Sequence, residues 1–175
     1  MKQSEKTKLM VITALFAAMI FVATRISIPT GINNRIIHFG DAVIYIAACI
    51  LPMPYAMISG AIGAGLSDFT TPGCMIWVIP TLIIKPLLAP FFAAQTGKFI
   101  NKRNILAVIL AGITGLVGYA IAEGIITGNF IVPIIGLPEA SIQPIGSSII
   151  FVAIGFAFDR MKLKAYLKRQ LKGEA

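Results

Sequence analysis

The sequence predicts an all-α integral membrane protein: a bundle of six transmembrane helices with both termini in the cytoplasm, one membrane domain over residues 1–175. Three observations predict it. Hydrophobic residues make up 57% of the chain and charged residues only 13%, with a mean hydropathy of +0.88, where a soluble domain carries about 25% charged residues. Six apolar runs fit the length at roughly 20 residues per span. The net charge of +8 is placed by side rather than spread, as the positive-inside rule requires.

The first run, Leu9 to Ala23, follows Lys2, Lys6 and Lys8. A secretory leader would show a small-x-small cleavage pattern and then a polar chain; the run is instead read as a retained helix. A Pro-, Gly- and Asn-rich outer loop, 27–39, comes next. The second helix spans Gly40 to Leu51 and is separated by Pro52 and Pro54 from the third, Tyr55 to Phe69. Both are shorter than a full span. The outer loop 70–76 leads to a fourth helix, Trp77 to Thr96, in which Pro80, Pro86 and Pro90 predict a kink. A basic inner loop (Lys98, Lys102, Arg103) precedes the fifth helix, Ile105 to Thr127. The apolar outer loop 128–141 connects to the sixth, Ile142 to Phe158. The basic tail 159–175 is expected to lie along the cytoplasmic membrane surface. On this topology Arg25 and Arg35 fall outside and Lys85 within a span, while the other basic residues of the 15 face the cytoplasm. The same placement accounts for the charge without a nucleic-acid partner.

Ionisable groups within spans are costly and either paired or functional. Asp41 opens the second helix, Asp68 closes the third, Lys85 lies inside the fourth and Glu123 inside the fifth. Lys85 is eight residues past Trp77, about 12 Å along the helix, and needs a counter-charge; Asp41 and Asp68 approach from the same outer side. The group reads either as a structural ion pair or as the polar floor of a ligand pocket. Tyr119 precedes Glu123 by one turn on the same face, and the two offer hydrogen bonds to a small polar ring or to each other. Trp77 sits at an interface position common for Trp, or stacks on a flat ligand. His38 reads as a loop hydrogen-bonder. Asn33, Asn34, Asn129 and Gln143 also fall on the outer side, so the polar groups converge on one mouth. Small-residue pairs that let helices approach closely occur at Ala14/Ala18, Thr13/Ala17, Gly60/Ala64 and Ala61/Gly65; each reads as internal packing or as a docking face.

Cys49 and Cys74 form neither a C-x-x-C nor a disulfide framework, and no His/Cys/carboxylate cluster suggests a metal. No phosphate-cradling G-x-x-x-x-G-K-[ST], H-E-x-x-H or G-x-S-x-G appears, so neither ATP hydrolysis nor another enzymatic activity is expected, and no cofactor.

Gly40-Asp41-Ala42, then Gly60, Gly63 and Asp68, then Pro80, Thr81, Ile84 and Lys85 carry a specific likeness over residues 38–90. This pattern resembles the substrate-binding S component of energy-coupling factor (ECF) transporters. Pro86 directly after Lys85 and the short loop TTPGCM depart from the family pattern. The resemblance implies a six-helix subunit in a prokaryotic plasma membrane. It would bind a micronutrient at the outer face and dock onto a membrane T component with two cytoplasmic ATPases through an A-x-x-x-A motif, here Ala14 and Ala18. The expected substrate is a small ring compound: a pyrimidine- or pyridine-type vitamin precursor, or a queuine-like base or nucleoside. Asp41, Asp68, Trp77, Lys85, Tyr119, Glu123, His38 and Asn129 are the expected contacts. The competing readings are a stand-alone proton-coupled permease and a small intramembrane enzyme using an Asp pair.

Overall fold

The computed structural model describes residues 3–29, 36–92, 94 and 96–172. Asn33, Asn34 and Arg35 lie outside the described residues. Helix α1, Gln3–Arg25, begins earlier than its apolar run because the lysine-bearing first turns continue the helix into the polar boundary. The following loop is not wholly irregular: β1, Ser27–Pro29, pairs antiparallel with β2, Ile36–His38, with Ser27 opposite His38.

Helix α2, Gly40–Ile50, is the centre of the molecule. Nine of its 11 residues are buried, although it rises only about 16 Å at 1.5 Å per residue. It is therefore wrapped by protein rather than exposed to lipid. Its end is set by Pro52, and α3, Met53–Thr70, starts at once with Pro54 in its first turn, where a missing N–H costs nothing. Helix α1 packs along α3 through glycine. A Cβ on Gly63 would lie 2.5 Å from the Ala17 carbonyl oxygen and 2.7 Å from Ile20 Cβ, so only glycine permits that approach.

The fourth predicted helix differs most from expectation. The segment is a 3-10 turn at Met75–Trp77, a short α4 at Val78–Ile84, and a 3-10 helix at Pro86–Phe91. It does not run on to Thr96 as one kinked helix. Pro86 and Pro90 have no N–H for the i−4 bond, and the backbone tightens to i−3 bonds instead, Leu88 N–H to Lys85 O and Phe92 N–H to Ala89 O. Ahead of the next helix the Asp159 carboxylate accepts from the N–H groups of Phe99 and Ile100 at 2.7 and 2.9 Å, fixing the turn into α5. Asn101 caps α5, Lys102–Thr127, by accepting from Asn104 N–H, and Gly128 ends it at φ 65°. The expected outer loop 128–141 holds two short helices, α6 (Ile131–Ile135) and α7 (Leu137–Ala140). Then come α8, Ile142–Arg160, and the basic α9, Leu163–Lys172.

The core includes an aromatic cluster in which Tyr45 stacks on Phe92 at 4.9 Å and Phe151 meets both edge-on at 6.0 and 5.4 Å. The outside is apolar as well: Val11, Leu15, Ile79, Ile83, Ile109 and Ile149 are all exposed. Such a surface suits lipid rather than water. Among the described residues three helices are long and apolar enough to cross a membrane: α1, α5 and the α7–α8 stretch Leu137–Arg160. Helix α2 and the Met75–Phe91 segment are shorter apolar helices.

Because Gly63 has no spare space, Gly63→Ala should destabilise the detergent-solubilised protein by about 1–3 kcal/mol through overpacking. Gly146→Ala, on α8 with open space around its Cβ, should be neutral or stabilising by up to about 1 kcal/mol. Thermal unfolding of the two variants measures the difference.

Candidate functional site

The site is assembled at one end of the bundle, from α2, α3, α4, α5 and α8. Asp41 lies in the first turn of α2, where the positive end of the helix favours a carboxylate. Lys85 caps α4 just where Pro86 ends it. Its Nζ is 2.5 Å from Asp41 Oδ1, with the two side chains only 5% and 7% exposed. Neither charge would be tolerable alone at that depth. The ammonium also lies 5.1 Å from the centroid of the Tyr119 ring, a cation–π distance.

Gln143, on the first turn of α8, holds the other side of the pair. Its amide nitrogen donates to Asp41 Oδ2 at 3.2 Å and to the His38 carbonyl at 2.9 Å, while its oxygen accepts from His38 N–H at 2.9 Å. One side chain thus satisfies both backbone groups of His38, as a neighbouring strand would. The His38 ring completes the turn: its Nδ1 accepts from Gly40 N–H at 3.2 Å, which leaves the proton on Nε2. Burial, reinforced by Lys85, pushes the His38 imidazole down to about 4, against a smaller opposing effect of Asp41. The residue is a neutral acceptor, and the loop hydrogen-bonding role expected for it is what the geometry gives.

A second chain of bonds lies beside the first. Thr81 Oγ1 donates to Asp68 Oδ2 at 2.5 Å and is 2.7 Å from the Tyr119 hydroxyl. A hydroxyl has one proton. With Thr81's given to Asp68, Tyr119 is the donor to Thr81. Trp77 stands over this chain, its ring 6.2 Å from that of Tyr119. Arg25, at the end of α1, reaches the same rim and donates to Thr71 Oγ1 and Thr70 O.

Six of the eight expected site residues are thus brought together: His38, Asp41, Asp68, Trp77, Lys85 and Tyr119. Glu123 is half-buried one turn beyond Tyr119. Asn129 is exposed, and its side chain accepts from Ile131 N–H at 2.9 Å to start α6. Gln143 and Thr81 carry more of the site than their sequence suggests, Gln143 being visible there only as an outer-side polar residue. The two small-residue pairs of α1 separate cleanly. Thr13 and Ala17 are buried against α3, whereas Ala14 and Ala18 face outward. On α3, Gly60 and Ala64 are buried in the bundle, as is Gly65, which packs against Leu82. An open apolar groove of about 350 Å³ runs between α5 and α8, lined by Gly112, Leu116, Pro144 and Ser148 among others, apart from this network. Among the described residues no three His, Cys, Asp or Glu side chains gather as a metal-binding set.

A polar cluster at one end of a helical body with an apolar exterior fits a small-molecule-binding membrane subunit. Residues 4–160 match the family model described as ECF-type riboflavin transporter, S component, and the chain belongs to that family. It is therefore the substrate-specific subunit of an energy-coupling factor transporter, not an enzyme, and associates with a membrane T component and two ATPase subunits. The stand-alone permease and the intramembrane enzyme are thereby set aside. No curated protein and no solved structure matches the chain.

Removing one partner of the buried pair should be far worse than removing both. Lys85→Met should lose about 3–5 kcal/mol, and Lys85→Met with Asp41→Asn should regain a large part of it, as read by thermal unfolding. A pH dependence follows from His38. Between pH 6.5 and about 4 the unfolded chain binds a proton that the folded imidazole refuses, so stability is full above that window and falls as pH drops through it. His38→Asn, which keeps an acceptor toward Gly40, should flatten the stability difference between pH 6.5 and 5.

Proposed function

We propose that the chain captures a small, flat, ring-containing micronutrient at the outer face of a prokaryotic plasma membrane for uptake driven by its partner ATPases. Riboflavin is the first candidate, since the family description names it. Pyrimidine- and pyridine-type vitamin precursors and queuine-like bases are the smaller alternatives. The observation that carries the reading is the pairing of two aromatic faces, Trp77 and Tyr119, with a hydrogen-bonded polar floor at one end of the bundle. Flat rings stack on such faces, and a few convergent polar groups fix their orientation.

Trp77 and Tyr119 would stack on the ring. Asp68 would bond its edge, with Glu123 at the rim. Asp41, Lys85, His38 and Gln143 would form the floor, and Asn129 would support the rim by starting α6. Six crossings with both termini inside are the topology proposed. Lys98, Lys102, Arg103, Arg160 and Lys162 would then sit at the cytoplasmic end, with Arg25 and the β1–β2 hairpin at the other. Helix α3 and the α2 and 75–91 segments complete the count because their neighbours, not lipid, cover their polar and short portions. The outward Ala14/Ala18 stripe of α1 is the proposed docking face for the T component, small enough for a partner helix to approach closely.

The test is a panel of riboflavin, pyridoxine, thiamine, its pyrimidine precursor and queuine against the detergent-purified protein. A ligand at 100 times its Kd should stabilise the fold by about 2.7 kcal/mol. The stabilisation should vanish in Trp77→Ala. Ala14→Leu with Ala18→Leu should keep it while abolishing co-purification with the T component. No stabilisation by any compound would sink the capture reading.

A further inference from the structure

We propose that α6, Ile131–Ile135, is seated in the bilayer, its aliphatic side chains among lipid acyl chains, so that the connection 128–141 is not a loop standing in water. Which substrate is captured does not matter to this placement, which rests only on the membrane setting given by the family and the apolar exterior. Three observations on one segment carry it: what the segment exposes, where that surface leads, and how its polar groups are used.

Ile131, Val132, Ile134 and Ile135 are 47–74% exposed, and only Pro133 of α6 is buried. The helix therefore has no polar face to turn to water. Nor is it a loose loop. The Phe130 ring lies so close to α5 that a Cβ on Gly124 would sit 2.3 Å from Phe130 Cδ1, which clamps the start of α6 to that helix. A fixed aliphatic face marks an interaction site for something apolar. The adjoining surface says what that is. Helix α6 stands between Ile125 on the last turn of α5 and Ile142 on the first turn of α8, both exposed. These two residues end the apolar exteriors that α5 and α8 present to lipid, so α6 closes the same surface across their ends.

The polar groups of the segment are spent on the segment itself. Asn129 N–H donates to Thr127 Oγ1, Asn129 Oδ1 accepts from Ile131 N–H at 2.9 Å, and Ser141 Oγ donates to Pro138 O at 2.6 Å. The N–H groups of Gly136, Ala140 and Ser141 donate to the carbonyls of Val132, Gly136 and Leu137, and Pro133 and Pro138 have no N–H to satisfy. Water makes such internal pairing unnecessary, whereas hydrocarbon demands it. From Phe130 to Ile142 the sequence holds no Lys, Arg, Trp or Tyr. Those are the residues that anchor at headgroups and dominate protein interfaces, so the composition favours acyl chains over a headgroup or a protein partner. The one ionisable residue in the stretch, Glu139, lies beyond α6 on α7 and is half-buried.

The experiment uses the full chain carrying Cys74→Ser, in which the remaining Cys49 is enclosed in the core. A nitroxide is attached at Ile131→Cys or Ile135→Cys in phosphatidylcholine vesicles; both positions are exposed, so the label displaces no packing. Power saturation compares access of oxygen, which concentrates in hydrocarbon, with access of a water-soluble nickel chelate. Phosphatidylcholines spin-labelled on the headgroup and along the chain set the scale. Both α6 labels should show an oxygen-to-nickel ratio about threefold or more above that of the headgroup lipid, as for an apolar face sunk below the headgroups. A ratio at or below the headgroup value would put α6 in water and overturn the proposal. Poor access by both reagents would mean that protein, a second copy included, covers the face, and would overturn it as well. A second readout needs no label. Ile135→Trp in a Trp77→Phe chain should be quenched by phosphatidylcholine brominated along its acyl chains, and emission indifferent to the bromolipid would also overturn the proposal. Ligand-induced stabilisation is read separately on the unlabelled protein, so failure of this placement and failure of the capture reading are told apart.

Discussion

The rest of the structure is organised around one buried ion pair, Asp41 with Lys85. A lysine and a carboxylate at this depth are each several kcal/mol unfavourable unless paired and hydrogen-bonded, so the fold must bring α2 and α4 together at one place and hold them in register. Several features serve that demand. The Asp41 carboxylate sits at the positive end of α2. Pro86 stops α4 directly after Lys85. Gly60 lets α3 lie against the Lys85 carbonyl, 3.5 Å from where a Cβ would be. Gln143 occupies the remaining carboxylate oxygen and so draws α8 and the β1–β2 hairpin to the same point.

Around that point, packing and solvent explain the rest. In lipid there is no hydrophobic drive between helices, so contact depends on close approach. Gly63 of α3 against Ala17 and Ile20 of α1 is the tightest instance. It fixes which face of α1 is used internally and leaves the Ala14/Ala18 face turned outward, where the proposed docking would take place. The same lipid setting allows Ile, Leu and Val to cover the exterior without becoming an aggregation surface.

Much of this was legible in the sequence because it rests on local pattern. The all-helical class, the ends of α2, α5 and α8 to within a few residues, and the meeting of Asp41 with Lys85 all follow from apolar runs, proline positions and the cost of a lone buried charge. Four things were not legible. The break-up of the fourth helix depends on how consecutive prolines tighten a backbone, and a kink was the simpler expectation. The short helices α6 and α7 lie in a stretch whose Pro and Gly content reads as loop. Gln143 lies 102 residues from Asp41 and has no charge to advertise its partner. A neutral amide that bridges distant elements leaves no periodicity or electrostatic demand in the primary structure. Thr81 is similar: its importance comes from one proton shared along a chain of three side chains.

The aromatic cluster of Tyr45, Phe92 and Phe151 has a consequence for transport. It packs among α2, the end of the 86–91 segment and α8, at and beyond the middle of the short central helix, and it joins a core in which Leu51, Leu88 and Phe99 are also fully enclosed. Beside the polar cluster, the described core is packed with apolar and aromatic side chains. A body packed in this way suits a cup rather than a pipe. On the proposed function, cargo held in such a cup would cross only if the vessel itself were moved or its walls pried apart, with the force supplied by the partner ATPases.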